Sequence, residues 1–373
     1  MKTLVLGGYG NFGARICRAM ANDPAIQLMV GGRDLARATA FANELGHGAQ
    51  ALAIDLTAPE FAQVLRRQGV ELLVHTAGPF QNQDYAVAQA AAAAGAHYID
   101  LADGRRFVCD FSAAMHATFA AAGRTAVSGA STVPALSSAV VEHLCRGWQH
   151  IDTIDICIAP AQTAPRGNAT LAAVLAYCGE AVQVWDGGRW QSRYGWAQPV
   201  RQRFARLRPR LGALCDIPDL QLFPAHYQVR QRVVFRAALE VGFTQRVFAT
   251  LAALRRRGWI GSPAGLAGLL HRTAPMLDFL GSALGGMVVR VTGQYAQGHS
   301  VRRAWHIAAD GDHGPEIPCM AAILLARRLA SNQTLPTGAF ACLGMLPLED
   351  FVPEFARWGM QTDTVEEALD HGA

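Results

Sequence analysis

Lysine is almost absent from this chain of 373 residues, which contains a single one, Lys2. Schiff-base chemistry needs a lysine amine in the site, and a Tyr-x-x-x-Lys dehydrogenase site needs one as well. Lys2 begins the first predicted strand and lies far from any expected reaction centre. The sequence therefore argues against both lysine-dependent mechanisms.

Paired cysteines are also missing. The eight cysteines never stand at C-x-x-C spacing, and they fall inside apolar stretches. This pattern is typical of buried free thiols in a reducing compartment. Without clustered Cys and His ligands, we expect no zinc site and no other metal site.

A strong excess of one charge is absent too. The net charge is +4 over the whole chain, which is too small to favour nucleic-acid binding. One local set of arginines alternates along the sequence, at Arg201, Arg203, Arg206, Arg208 and Arg210. Such a set either lines a groove for an acidic ligand or forms a solvated strand face or loop.

No segment provides eighteen uninterrupted apolar residues, the length that a membrane-spanning helix requires. The nearest candidate, 263–289, is interrupted by His271, Arg272 and Asp278. Residues 1–6 run directly into a glycine turn, so we predict no signal peptide. We expect a soluble, cytoplasmic protein, with weak membrane association through 263–289 as an open alternative.

Strand-like and helix-like segments alternate six times over the first 128 residues, and the strands are short and apolar. The strands are predicted at 2–6, 26–31, 50–55, 71–76, 97–101 and 124–128. This pattern predicts an α/β fold of the Rossmann type, a doubly wound parallel sheet with helices on both faces.

The rhythm changes near residue 150. Alternating strands and the Asp186-Gly187-Gly188 hairpin turn indicate an α+β domain with a largely antiparallel sheet. We therefore predict a dinucleotide-binding domain over 1–148 and a substrate or dimerisation domain over 149–317. Residues 318–373 are predicted to return to the first domain.

A glycine-rich turn joins the first strand to the first helix. Its residues are Gly8-Tyr9-Gly10-Asn11-Phe12-Gly13, and this strand–turn–helix context is the one that the dinucleotide motif requires. We expect Gly8 to permit the tight turn, Gly10 to let the backbone approach a pyrophosphate, and Gly13 to let the helix pack closely. Free N–H groups at the helix start then face the phosphates.

The end of the second strand distinguishes NAD from NADP. NAD-binding proteins usually carry an acid there, which bonds the ribose 2′-hydroxyl, whereas this sequence has Gly32 followed by Arg33. A guanidinium favours a 2′-phosphate by charge and by its planar shape, so we predict NADP(H). A shift of one residue would place Asp34 at the acidic position. Asp55, after the third strand, is predicted to bond the adenine amino group or to cap the next helix.

Several side chains follow the carboxyl ends of the later strands, where ligands bind in such sheets. We predict His75, Tyr98 and Asp103 as proton-transfer candidates and Arg166 as a substrate anchor. Asp100 is a further proton-transfer candidate, or it caps a turn or holds Arg105 or Arg106. Ala77, Gly78 and Pro79 are expected to shape the nicotinamide-ribose pocket. Each group also has a structural alternative: a buried histidine, a turn aspartate or a surface arginine.

These segments together resemble the saccharopine dehydrogenase-like family of NADP-binding oxidoreductases. The resemblance is carried by Gly7–Gly13, Gly32-Arg33, His75–Phe80, Tyr98–Leu101 and Ser128–Pro134, and it is strong across 1–145. It implies a nucleotide domain, an inserted domain with a mixed or antiparallel sheet, and a returning C-terminal segment. Family members reduce carbon–nitrogen bonds or carbon–carbon bonds of lipid intermediates. The chain departs from true saccharopine reductases because it lacks the dense basic residues that a tricarboxylate substrate needs.

Two functions follow as hypotheses. The first is an NADP-dependent oxidoreductase acting on a C=N, C=O or C=C bond of a small or lipid-like molecule, assembled as a homodimer. The second is a non-catalytic nucleotide-binding or lipid-associated protein that keeps the fold, since no clear acid–base pair is evident.

Overall fold

The structure, a computed structural model, describes residues 1–165 and 168–368. Its strands are β1 (Lys2–Leu6), β2 (Gln27–Gly32), β3 (Gln50–Ala53), β4 (Leu72–His75), β5 (His97–Asp100), β6 (Thr125–Ser128), β7 (Trp148–Ala159), β8 (Ala181–Asp186), β9 (Trp190–Tyr194), β10 (Val200–Gln202), β11 (Arg210–Leu214), β12 (Arg232–Leu239), β13 (Gly285–Tyr295), β14 (Ser300–Ala309), β15 (Gly338–Ala341) and β16 (Gln361–Ala368).

The α-helices connect these strands. They are α1 (Asn11–Met20), α2 (Leu35–Leu45), α3 (Phe61–Arg67), α4 (Ala86–Ala93), α5 (Arg105–Ala121), α6 (Ser137–Leu144), α7 (Asn168–Ala176), α8 (Asp219–His226), α9 (Gly242–Arg256), α10 (Ala267–Thr273), α11 (Ile317–Ala330) and α12 (Leu348–Arg357). The chain forms two compact units, one of residues 1–136 and 316–346, the other of residues 137–315 and 347–373.

Unit 1 contains a seven-stranded sheet in the order β15-β6-β5-β4-β1-β2-β3. Every pairing in it is parallel, so the predicted Rossmann-type α/β fold is confirmed. The central strands are mostly apolar, and all four residues of β4 are buried, because helices cover a parallel sheet on both faces. The strands are short, and the loops that follow them lie together at the carboxyl edge of the sheet.

The seventh strand of this sheet, β15, comes from the returning segment and extends β6. Before it, α11 packs against α1, where Arg327 donates to the Ala19 carbonyl at 3.0 Å. Arg15 forms an ion pair of 2.9 Å with Glu316 at the start of α11. These contacts explain why the segment belongs to unit 1 despite its distance along the chain.

Unit 2 is built on a mixed sheet with the path β10-β11-β12-β7-β13-β14-β16, to which the β8–β9 hairpin is added beside β12. Among the described strands of this second sheet, only β7 and β12 pair in parallel, so the predicted α+β domain with a largely antiparallel sheet is confirmed. A small core of Cys157, Leu207, Val288 and their neighbours packs on this sheet.

The division between the units differs from the predicted domain boundaries at 148–149 and 317–318. It falls at 136–137, because α6 packs on β13 and β14 of unit 2. Residues 316–346 belong to unit 1, whereas the described residues from 347 onward belong to unit 2. The reason is β16, which pairs antiparallel with β14.

Candidate functional site

The glycine turn after β1 is held by backbone hydrogen bonds. The N–H groups of Gly7 and Gly8 both donate to the Gly31 carbonyl, at 2.9 and 3.0 Å. Gly7 has φ +81°, so Gly7, rather than the predicted Gly8, takes the left-handed conformation that favours glycine. Gly8 is needed for a different reason, since a Cβ there would lie 2.9 Å from the Val5 carbonyl oxygen.

Gly13 and Gly10 have different surroundings within the same turn. A Cβ on Gly13 would lie 2.1 Å from the Gly7 carbonyl oxygen, so only glycine lets α1 approach the turn this closely. A Cβ on Gly10 would meet a single atom, the Gly7 oxygen, at 3.0 Å. Gly10 is exposed, and the space above it is open to a ligand.

The start of α1 is suited to bind an anion. Gly10 stands at the N-cap and offers no side chain to the first N–H groups of the helix. The unpaired N–H groups and the helix dipole together attract a phosphate. The Asn11 side chain is held aside by Arg15, which donates to its Oδ1 at 2.6 Å, and Phe12 is half-buried.

The end of β2 combines a glycine, an aromatic ring and two arginines. A Cβ on Gly32 would lie 2.4 Å from the Tyr9 ring, so the ring covers the strand end only because residue 32 is glycine. The Tyr9 hydroxyl accepts a hydrogen bond of 3.0 Å from the Asp34 N–H. The guanidinium carbon of Arg37 lies 4.7 Å from the centroid of the Tyr9 ring.

Asp34, the alternative acid for the ribose position, is engaged as a helix cap. Asp34 is the N-cap of α2, and its carboxylate accepts from the Arg37 N–H at 3.1 Å. Arg33 and Arg37 are both exposed beside it. The sequence-based prediction did not include Arg37 or the contact of Tyr9 with Gly32. Two spacings could have indicated them: Arg37 lies four residues after Arg33, and Tyr9 lies two residues after Gly7.

Asp55 lies exposed just after β3. Its Oδ1 accepts from the N–H and the hydroxyl of Thr57, at 2.9 and 2.8 Å, and these bonds hold the pKa of Asp55 below its ordinary value. These bonds close a local turn at residues 55–57, whereas the N-cap of α3 is Glu60, so the predicted helix-capping role of Asp55 is wrong. Its predicted contact with adenine stays a prediction.

The loop after β4 is fixed by side-chain hydrogen bonds. Thr76 donates to the Leu6 carbonyl at 2.9 Å, which ties this loop to the glycine turn. Gln83 donates to the carbonyls of Ala77 and Pro79, both at 2.9 Å. Gly78 and Pro79 are exposed, so the loop presents a rigid surface at the same sheet edge as the glycine turn.

His75 and Tyr98, two predicted proton-transfer groups, lie in the core of unit 1. His75 is 0% exposed and Tyr98 1%, and the Nδ1 of His75 lies 3.1 Å from the Tyr98 hydroxyl. Burial lowers the pKa of His75 to about 4 and raises the pKa of Tyr98 well above its ordinary value. This placement favours the structural alternative for both.

Asp100 organises a buried polar network that sequence analysis missed. Its Oδ1 accepts from the Ala102 N–H at 2.9 Å, the Gly129 N–H at 2.8 Å and the Ser128 hydroxyl at 3.0 Å. Burial raises the pKa of Asp100 to about 6, although these hydrogen bonds oppose the shift. The carboxylate therefore ties the ends of β5 and β6 together.

Asp103 differs from these buried groups because it is exposed. Its carboxylate accepts a hydrogen bond of 3.1 Å from Gln81, in the loop that follows Pro79. Arg166, the predicted substrate anchor, lies outside the described residues. Among the predicted proton-transfer groups, Asp103 is thus the one that the structure places at a solvent-accessible position.

Unit 2 contains a cavity of about 410 Å³ between the β8–β9 hairpin and β12. Its cationic side chains are Arg193, Arg232, Arg236 and Arg256, none of which belongs to the alternating set noted in the sequence. Within that set, Arg206 forms an ion pair with Asp363 at 2.6 Å. Arg210 is buried and donates to the carbonyls of Pro160 and Leu284, so the set does not line one groove.

Comparison with known proteins agrees with this geometry. Residues 3–127 match the family model of the saccharopine dehydrogenase NADP binding domain. The fold is similar to that of saccharopine dehydrogenase (L-Glu forming) from Saccharomyces cerevisiae, with a TM-score of 0.69 and 12% identity over 98% of this chain and 99% of that one.

A second similar structure is homospermidine synthase from Legionella pneumophila in complex with NAD. Its TM-score is 0.59 and its identity 10%, over 100% of this chain and 93% of that one. No curated protein sequence matches the chain. At such identities the two structures establish a shared fold.

Proposed function

We propose, from the premise that residues 3–127 belong to the saccharopine dehydrogenase-like NADP-binding family, that this chain is an NADP(H)-dependent oxidoreductase. It would act on a C=N, C=O or C=C bond of a small or lipid-like molecule. The bound cofactor would supply or accept the hydride, while the protein binds and orients both reactants.

The glycine turn fits a pyrophosphate. The open space above Gly10 admits it, and the uncapped first turn of α1 offers N–H donors to its oxygens. Thr76 and Gln83 hold the loop of Ala77, Gly78 and Pro79 at the same edge, where it would border the nicotinamide ribose. A rigid border orients the ring without any catalytic side chain.

The observation that carries the preference for NADP is the replacement of an acid by Gly32 with two arginines nearby. Arg33 and Arg37 are exposed, and the carboxylate of Asp34 is engaged as a helix cap. A 2′-phosphate would therefore meet two guanidiniums and no free carboxylate at this position. The Tyr9 ring, held against Arg37, completes a surface for the adenosine end.

Replacing both arginines tests this preference directly. In the Arg33→Ala/Arg37→Ala variant we expect the Kd for NADPH to rise on the order of 10- to 100-fold, from the loss of charge-assisted hydrogen bonds. The Kd for NADH should change little, because that cofactor lacks the phosphate. Titration of cofactor fluorescence measures both constants.

Arg67→Ala is the matched control, since Arg67 is an exposed arginine of α3 in the same unit. It should leave both constants unchanged. Equal weakening of NADPH and NADH by the double variant would remove the basis for the NADP preference. Binding of neither cofactor to the unmodified protein would remove the proposal itself.

Few of the described side chains are candidates for the proton donor of the reaction. Asp103 is exposed and hydrogen-bonded to Gln81, so it is the proposed group for proton transfer to substrate. The buried His75 and Tyr98 would act by supporting the loop. The alternative function is that of a non-catalytic nucleotide-binding or lipid-associated protein. Consumption of NADPH with any imine, ketone or enoyl substrate would exclude this alternative.

The predicted homodimer and the cytoplasmic location also remain proposals. Sedimentation of the purified chain at several concentrations tests the first of these.

A further inference from the structure

The helical segment that follows α9 exposes an unusual amount of apolar side chain. Trp259 is 71% exposed, Met276 71% and Phe279 81%. Leu266, Leu269 and Leu280 are exposed as well. Isolated exposed apolar residues are common, but a concentration of large ones within about twenty residues marks an interaction surface. We call these six residues the 259–280 surface.

The local helices place these side chains in pairs. Met276 and Phe279 belong to a 3₁₀ helix, Ala274–Leu280, in which residues three apart align on one side. Leu266 ends another 3₁₀ helix, Pro263–Leu266, and Leu269 lies three positions later in α10. Pro263 and Ala267 are buried, so these two residues anchor the segment while its large apolar side chains face solvent.

Arginines lie within and just before the same segment. From residue 241 to 277 the sequence has five arginines and no aspartate or glutamate. Arg257 and Arg272 are exposed, and the guanidinium carbon of Arg257 lies 5.6 Å from the centroid of the Trp259 ring. The adjacent acid, Asp278, accepts a hydrogen bond from Gln162 at 3.1 Å. An apolar surface flanked by cations therefore faces solvent.

We propose that the 259–280 surface binds peripherally to an anionic lipid bilayer. Tryptophan and phenylalanine insert at the level of the headgroups, and arginines beside them attract anionic lipids. Among the described residues no helix is long and apolar enough to cross a bilayer, so the segment would lie in the plane of the interface. This surface belongs to unit 2, whereas the proposed cofactor site belongs to unit 1.

Charge argues against a second copy of the chain as the occupant. In a symmetric dimer the same surface meets itself, so Arg257 and Arg272 of one copy would approach those of the other. Like charges brought together in this way weaken association. A bilayer containing anionic lipid instead neutralises them.

Vesicle flotation tests the proposal with the full-length protein. Vesicles of phosphatidylcholine alone are compared with vesicles that also contain phosphatidylserine. We expect binding to the second kind, weakened by salt because surface charges are screened. Arg257→Glu/Arg272→Glu should reduce this binding on the order of 10-fold or more, since each cation near the bilayer contributes. Met276→Ser/Phe279→Ser should reduce it at least as strongly.

Matched controls come from exposed residues elsewhere in unit 2. Val352→Ser/Val365→Ser removes two exposed valines, and Arg201→Glu/Arg208→Glu reverses two exposed arginines. Both should keep vesicle binding. Unchanged NADPH affinity and melting temperature in all four variants show that each remains folded, and they separate this test from that of the proposed function.

Three results would overturn the proposal: no binding to either vesicle, equal binding to both, or equal loss in the control variants. A concentration-dependent dimer that Met276→Ser/Phe279→Ser dissociates would also overturn it, because it would identify a second copy as the occupant.

Discussion

Two groups of polar atoms lie at the carboxyl edge of the sheet in unit 1, and they differ in their access to solvent. Around the ends of β1 and β2, backbone N–H groups, Arg33 and Arg37 face outward. Around the ends of β4 and β5, His75 and Asp100 are fully buried and bonded to neighbouring protein groups. The first group can meet a ligand, whereas the second holds the strands that support it.

This difference shows that the position of a polar residue at a strand end does not by itself identify the residue as catalytic. In a short strand, a shift of one position along the chain determines whether a side chain points into the core or beyond the sheet edge. Asp100 and Asp103 illustrate the point, since they are three residues apart and only Asp103 is exposed. Substitutions in each group should therefore affect different properties.

The largest difference in stability between two substitutions is expected within the glycine turn. Gly13→Ala places a Cβ 2.1 Å from the Gly7 carbonyl oxygen, so α1 must move, and we expect a loss of more than about 3 kcal/mol of stability. Gly10→Ala creates one contact of 3.0 Å and should cost little stability while weakening cofactor binding. Thermal denaturation and NADPH titration separate the two effects. A stable Gly13→Ala variant would contradict the packing role.

A slightly smaller contrast is expected between Asp100 and Asp103. Asp100→Ala leaves three buried donors without their acceptor and should lower the free energy of unfolding by about 3 kcal/mol. Asp103→Ala, at an exposed position, should change it by less than about 0.5 kcal/mol. Denaturant titration measures both. If Asp103→Ala proved the more destabilising, the distinction between the two groups would fail.

The same distinction predicts a pH dependence for His75. Its folded pKa of about 4 lies below the ordinary value of 6.5, so the native state holds the neutral form. Its contribution is complete above pH 6.5 and is lost as the pH falls towards 4, by up to about 3 kcal/mol. Asp100, with its pKa raised to about 6, acts in the opposite direction over the same range.

Because these two effects oppose each other, the test compares His75→Gln with the wild type at each pH. The destabilisation caused by the substitution should shrink between pH 7 and pH 4. A constant difference in unfolding free energy across this range would mean that His75 is not held neutral.

Much of unit 1 was predictable from sequence because its strands are short apolar runs separated by helices of clear periodicity. The glycine turn was predictable for the same reason, since its place between β1 and α1 is local. Gly7 was missed because a positive φ depends on where the turn closes. The network of Asp100 with Ser128 was missed because it joins residues that are neighbours only across the sheet.

Unit 2 was less predictable. Its edge strands β10 and β16 are not apolar runs, and each is a strand because a neighbour supplies hydrogen-bond partners: β11 for β10, and the distant β14 for β16. The cavity arginines also come from distant segments, the β8–β9 hairpin, β12 and α9. The alternating arginines at 201–210 therefore do not mark this cavity, whereas the antiparallel pairing of β8 with β12 brings two of its lining segments together.

The late position of β15 has a consequence for how the chain folds as it is synthesised. The sheet of unit 1 lacks its seventh strand until residues 338–341 have been made, and the sheet of unit 2 lacks its last described strand until 361–368. On a ribosome, most of both sheets would emerge before either could be completed. Pairing between strands so distant along the chain slows folding. It also leaves the edges of β6 and β14 unpaired in the nascent chain, where they are accessible to a chaperone.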